Sequence, residues 1–184
     1  MSKSPSVVRG LIVGVVAGVT ATLVMDQFQN LLAAAQKASE KQQRLANGES
    51  PWLIANEQAQ QEMKQHNTEN ATDKAARKIA EIAGTTISRR KIKSAGEVVH
   101  YTFGTLTGVG YAVAAEFVPE ITTGGGTAFA TLLFIGGDEV AVPALHLSAP
   151  ASHQPASSHL QYWAAHIVYG GTLELTRTLL RRFI

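Results

Sequence analysis

The sequence has no cysteine and little formal charge for its length. Without cysteine it has no disulfide, no thiolate ligand for a metal and no cysteine nucleophile. Charged residues make up 16% of the 184 residues, against about 25% in a typical soluble domain. The net charge of +2 predicts no polyanion partner, and the composition excludes a disordered chain and a basic nucleic-acid-binding module.

The few charges are distributed unevenly along the chain. Residues 36–97 hold 19 of the 30 Lys, Arg, Asp and Glu residues. Residues 98–176 hold five carboxylates and no Lys or Arg. A polar segment is therefore inserted into a low-charge chain.

Four low-charge runs approach the length of about 20 mostly apolar residues that a bilayer span requires. We predict an all-α protein, a four-span transmembrane helical bundle forming a single membrane domain over 1–184. The predicted spans are about 10–35, 98–116, 121–147 and 159–177, with a polar helical segment outside the membrane at 36–95. The alternatives are a cleaved signal peptide in place of the first span and a soluble bundle of fully buried helices.

Local signals predict where some helices begin and end. Apolar residues recur at helical spacing over 75–83, with Thr72 as the predicted N-cap and Gly84 just after the helix. Pro143 cannot donate to the carbonyl of Glu139, so the third span should kink or stop there.

Glycines recur at four-residue spacing in the first two spans. The predicted packing residues are Gly10, Gly14, Gly18, Gly104 and Gly108. Small residues let helix backbones approach closely in a bilayer. These rows predict a specific helix contact, either within one bundle or with a second copy or another membrane protein.

The ionisable residues of the four runs should converge in one half of the bilayer, because successive spans alternate in direction. The candidate polar cluster is Asp26, His100, Asp138, Glu139, His146 and His166. His159 begins the last predicted span, with the preceding loop as the alternative position, and His153 lies in that loop. Ionisable groups inside a membrane are costly and indicate function. A His/carboxylate set can relay protons or bind a metal; the other interpretation is a structural or solvated cluster.

Three segments carry a resemblance to a known family. They read GVVAGVTATLVMDQ at 14–27, KAARKIAEIAG at 74–84 and HYTFGTLTGVGYAVAAE at 100–116, and the last span with His166 is also similar. The chain resembles the uncharacterised bacterial membrane-protein family typified by the inner-membrane protein YagU. The resemblance implies a small, helical, multi-pass protein of the cell inner membrane and assigns no activity to any residue.

Two functions are open at this point. We predict a non-enzymatic accessory or helix-packing protein, which the glycine rows favour. The alternative is a small transporter or a proton- or metal-handling membrane protein, which the polar cluster favours. We predict no enzyme, because no hydrolase or kinase motif is present, and therefore no catalytic residue. The expected partner is the lipid bilayer, and the candidate protein partners are a second copy or another membrane protein. No nucleic acid is expected. The sequence assigns no cofactor and no metal.

The orientation prediction rests on Lys and Arg residues near the span ends. Seven such residues flank the spans on the side of 36–95, against five on the side of both termini. Because positive residues favour the cytoplasmic side, we predict that residues 36–95 are cytoplasmic and both termini are outside.

Overall fold

The computed structural model describes residues 4–184, and these residues are all-helical, as predicted. Lys3, one of the residues in the orientation prediction, lies outside the described residues. The α-helices are α1 (Val7–Ala46), α2 (Pro51–Asn67), α3 (Ala71–Ile82), α4 (Ile92–Phe117), α5 (Thr127–Phe134), α6 (Val142–Ala144) and α7 (Ala156–Phe183). Short 3-10 turns lie at Pro119–Thr122 and Ala151–His153, and a π-helix, Ile135–Ala141, joins α5 to α6.

Two helical stretches of the described chain are long and apolar enough to cross a membrane. They are Val7–Ala46 and Thr127–Ala144, which correspond to the first and third predicted spans. The helices at the second and fourth predicted spans, α4 and α7, do not meet this criterion. Length and composition alone are weak support for a membrane location, because the core helix of a soluble protein or a signal sequence meets the same criterion.

The predicted packing glycines meet in one contact between α1 and α4. A Cβ atom built on Gly14 would lie 2.5 Å from the Cα of Val109, and one built on Gly108 would lie 2.6 Å from the Cα of Gly18. Gly10 and Gly104 are similarly confined, against Val113 and Thr22. Only glycine lets these two backbones approach so closely.

Helix α7 completes a three-helix core with α1 and α4. The buried residues of this core are Ala17, Ala21, Met25, Tyr111, Ala165, Tyr169 and Leu173. Helix α5 packs on α7, where Gly126 and Gly170 face each other.

The polar segment folds back along α1 as a helical hairpin. The ε-ammonium of Lys37 on α1 lies 3.0 Å from the carboxylate of Glu62 on α2, and Arg44 donates to Glu57 at 2.7 Å. The chain then enters α3, which packs on α4.

Helix α3 begins one turn earlier than its apolar pattern indicates. The predicted N-cap, Thr72, is wrong: the side chain of Asn70 accepts from the amide of Asp73 at 2.8 Å, and Asp73 accepts from the amide of Asn70 at 3.0 Å. This reciprocal capping box satisfies two amides that the helix leaves free. The predicted position of Gly84 agrees with its φ of +71° just beyond the helix end.

The third predicted span changes helix type before it ends. The π-helix occupies Ile135–Ala141, and helical structure stops at Ala144, one residue after Pro143. Pro143 lies in the first turn of α6, where its missing N–H is tolerated. The π-helix, which the sequence pattern does not show, carries Asp138 and Glu139, and such segments are frequent at functional sites.

Candidate functional site

A cavity of about 720 Å³ lies between the start of α3, the start of α4, the middle of α1 near Asp26 and the π-helix. Its lining carboxylates are Asp26, Glu69, Asp73, Glu97, Asp138 and Glu139. Two lysines, Lys74 and Lys93, and His100 face the same space. The excess of carboxylates over lysines gives the cavity an acidic wall.

The first carboxylate of the cavity, Asp26, is held by two residues of α4. The Tyr101 hydroxyl donates to Oδ2 at 2.8 Å, and Nε2 of His100 lies 3.0 Å from Oδ1. The Asp26 and His100 side chains are each about 30% exposed, at 29% and 31%. The structure therefore brings two members of the predicted cluster into direct contact at the α1–α4 junction.

Glu139 of the π-helix contacts His159 at the start of α7. Nδ1 of His159 lies 2.6 Å from the Glu139 carboxylate, and Nε2 lies 3.1 Å from the carbonyl of Ala151. Both ring nitrogens face acceptors, so both contacts are hydrogen bonds only in the imidazolium form. His159 lies on α7, which begins at Ala156, and not in the preceding loop. Its seven-residue spacing from His166 was the signal for its place on the inner face.

Asp138 and His166 form a looser pair. Nδ1 of His166 lies 3.8 Å from the Asp138 carboxylate and donates to the carbonyl of Tyr162 at 2.8 Å. The His166 ring is buried beside Phe134, with 5.6 Å between ring centroids. Three carboxylates of the cavity thus each have one histidine next to them.

His146 is the member of the predicted cluster that lies apart. It is exposed, has a φ of +56° in the turn after α6, and is not among the residues that line the cavity. The seven-residue spacing from Glu139 does not put His146 on the same helix face, because the helix ends between them, at Ala144.

The polar segment contributes a wall that the sequence analysis did not assign to the site. The buried carboxylate of Asp73 pairs with Lys93 at 2.6 Å. The Arg77 guanidinium donates to Glu69, and this hydrogen bond lowers the pKa of Glu69. The capping pattern from Asn70 to Asp73 was the available signal for a fixed helix start here.

The structure does not place a metal-binding triad in this region. Over residues 4–184, no group of three His, Asp or Glu side chains is arranged to hold a metal ion. The geometry of the cavity is instead that of separate carboxylate–histidine pairs.

A second polar group lies at the opposite end of the bundle. The buried Glu116 of α4 lies 3.0 Å from Arg9 of α1 and 2.9 Å from Arg181 of α7. On α7, Glu174 accepts from Arg177 at 2.6 Å and from the Tyr111 hydroxyl at 2.8 Å. The ends of three helices therefore meet around buried ion pairs.

Comparison with known proteins gives a family and no activity. A family model described as "Protein of unknown function (DUF1440)" matches residues 63–175, which is more than half of the chain. No curated protein and no solved structure matches the chain.

Proposed function

We propose that this chain, which belongs to the DUF1440 family of proteins of unknown function, is a multi-pass membrane protein that binds a small cation in its acidic cavity. The observation that carries this proposal is the cavity itself: six carboxylates line it, three of them with a histidine partner, inside a bundle with an apolar exterior.

The membrane part of the proposal is supported by the side chains that α1 exposes. Its buried stripe is mostly Gly and Ala, whereas its large aliphatic residues face outward. The exposed ones are Val7, Val8, Leu11, Ile12, Val15, Val16, Val19, Leu23 and Val24. Soluble monomers rarely expose an apolar patch larger than a few hundred Å². Close packing of small residues with large aliphatic residues outside is typical of helices in lipid.

The other long helices also expose large apolar residues and bury charged ones, and this pattern supports four spans. They expose Val98, Phe103, Leu106, Leu132, Ile135, Val140, Leu160, Leu175 and Leu179. Their charged side chains Glu116 and Arg177 are buried. Two of the charged residues that lower the hydropathy of α4 and α7 therefore face the bundle interior. The resemblance to the YagU type supports the inner membrane as the location.

The cation preference follows from the charge of the lining. Glu69 and Asp73 are paired with Arg77 and Lys93. Asp26, Asp138 and Glu139 lie instead beside histidines and have no Lys or Arg partner among residues 4–184. The lining therefore holds more carboxylates than lysines, and this negative charge attracts a cation. We propose a non-enzymatic role, since binding alone uses this arrangement.

The accessory-protein alternative receives less support from the packing. The glycines of α1 pack against the backbone of α4, and those of α4 pack against α1. They therefore offer no groove to a second copy or to another membrane protein. The proposal accordingly rests on the cavity.

Cation binding is testable by thermal unfolding in detergent. Na⁺, Mg²⁺ and choline are the probes, and a probe present at 100 times its Kd stabilises the folded state by about 2.7 kcal/mol. We expect at least one probe to stabilise the wild type, and the Asp138→Asn/Glu139→Gln double variant to lose that response. Glu120→Gln, an exposed carboxylate outside the cavity, is the control. An equal response in wild type and double variant, or no response of the wild type to any probe, contradicts the proposal.

The proposed orientation, with both termini outside, is testable with a fluorescent reporter fused to the C-terminus. A protein that fluoresces only in the cytoplasm, fused after Ile184, should stay dark because both termini lie outside. The meeting of Arg9, Glu116 and Arg181 supports a common side for the start of α1 and the end of α7. Bright fluorescence from a correctly inserted fusion would reverse the orientation and place the cavity on the outer side.

A further inference from the structure

We propose that protons cross the bundle from the cavity to the Glu116 end, along the contact between α4 and α7. This inference rests on the proposed function, since it requires the chain to span a bilayer. It adds an activity, transmembrane proton movement, and a route for it.

The route is a file of proton-carrying side chains on the inner faces of two helices. Along α7 they are His159, His166, Tyr169 and Glu174, and along α4 they are His100, Thr107, Tyr111 and Glu116. On α7, His166 and Tyr169 are three residues apart, so they lie on neighbouring turns of one face. The file begins at Asp138, which lines the cavity and lies 3.8 Å from Nδ1 of His166.

The middle of the file is a hydroxyl pair in the protein interior. The hydroxyl oxygen of Tyr169 lies 3.0 Å from Oγ1 of Thr107, and it donates to the carbonyl of Gly104 at 2.6 Å. Tyr169 is only 2% exposed. A hydroxyl both donates and accepts, so each of these groups can receive one proton and release another.

The outer part of the file leads to the ion pairs at the far end. Tyr111, 1% exposed, donates to Glu174 at 2.8 Å, and Glu174 also holds Arg177. Thr107 and Tyr111 are one turn apart on α4, a separation of about 6 Å. That step requires a bridging water molecule, which can carry a proton between polar groups.

Proton balance in this route is simple. Each group takes one proton from its neighbour on the cavity side and gives one to its neighbour on the other side, so no group is consumed. A proton gradient or a membrane potential supplies the driving force. The rival explanation is that the same hydroxyls only fasten the helices, as interhelical hydrogen bonds do in membrane proteins.

The test is proton flux into proteoliposomes that enclose a pH-sensitive dye, driven by a potassium diffusion potential. We expect the wild type to exceed empty liposomes, and Tyr169→Phe and Thr107→Val to lower the flux at least tenfold. Both changes remove a hydroxyl and keep the approximate side-chain volume. Thr102→Val is the matched control on α4, because Thr102 is exposed. Thermal unfolding of each variant identifies any loss of folding.

The outcomes separate this inference from the proposed function. Wild-type flux equal to that of empty liposomes overturns the proton route. Unchanged flux in Thr107→Val and Tyr169→Phe also overturns it, and lowered stability of these variants would then show that the two hydroxyls only fasten the helices. If the cations still stabilise such a protein, the cavity proposal stands and the proton route fails alone. Recovery of the protein from membranes by carbonate, without detergent, overturns both proposals.

Discussion

Gly108→Ala should lower the thermal unfolding midpoint strongly, whereas Gly110→Ala on the same helix should not. The Cβ atom of the first variant would lie 2.6 Å from the Cα of Gly18, which is backbone that moves only if α1 and α4 separate. Such overpacking costs about 1–3 kcal/mol. For a protein of this size, each kcal/mol shifts the midpoint by about 2–4 °C. A Cβ on Gly110 meets nothing within 4 Å, so its alanine gains helix propensity without a clash.

Differential scanning of both variants in one detergent measures this contrast. The two changes are chemically identical and lie two residues apart, so solubility and expression effects cancel in the comparison. Equal midpoints for the two variants would show that the α1–α4 contact is looser than described here.

Glu116→Ala should destabilise the bundle by about 3–5 kcal/mol, the cost of removing one partner of a buried ion pair. The Glu116 side chain is 3% exposed and that of Arg9 is 10% exposed. Without the carboxylate, the Arg9 charge stays buried and loses its ion-pair partner, keeping only the carbonyl of Ser4 as an acceptor among the described residues. Arg181 is affected less, because its side chain is 33% exposed.

The matched control for this prediction is Glu120→Ala, one turn further along the chain and exposed. Chemical unfolding in mixed detergent micelles gives the free-energy difference between the two variants. We expect Arg9→Met/Glu116→Met to recover much of the loss, since an apolar pair replaces a buried ion pair with little cost. A loss for Glu116→Ala no larger than that for Glu120→Ala would mean that water reaches this ion pair.

The sequence was sufficient for features that depend on local spacing and chain direction. Gly14 and Gly108 recur at the spacing of a close helix contact, and they face each other's helices. Alternation of the long helices predicted one half of the bundle for Asp26 and His100, and their side chains lie 3.0 Å apart. Both inferences use only helical periodicity and antiparallel order.

Features that depend on tertiary packing or on helix type were not predictable. The π-helix changes the register of Asp138 and Glu139, and no residue pattern in Ile135–Ala141 specifies it. The Asp73–Lys93 pair joins α3 to α4 across a loop, so its contact is set by packing and not by spacing. His146 leaves the cluster because the chain turns after Ala144.

The hairpin of α1 and α2 has matched arms. Beyond Asp26, α1 continues for about 20 residues, which is roughly 30 Å at 1.5 Å per residue, and α2 returns for 17 residues, or roughly 25 Å. Because the outgoing and returning lengths nearly cancel, the chain comes back to the level of the cavity just where α3 starts. The lengths of the two arms thus set the position of α3. A deletion of one helical turn from a single arm would shift the capped start of α3 by about 5.4 Å relative to Asp26. The same deletion made in both arms would leave the cavity wall in place.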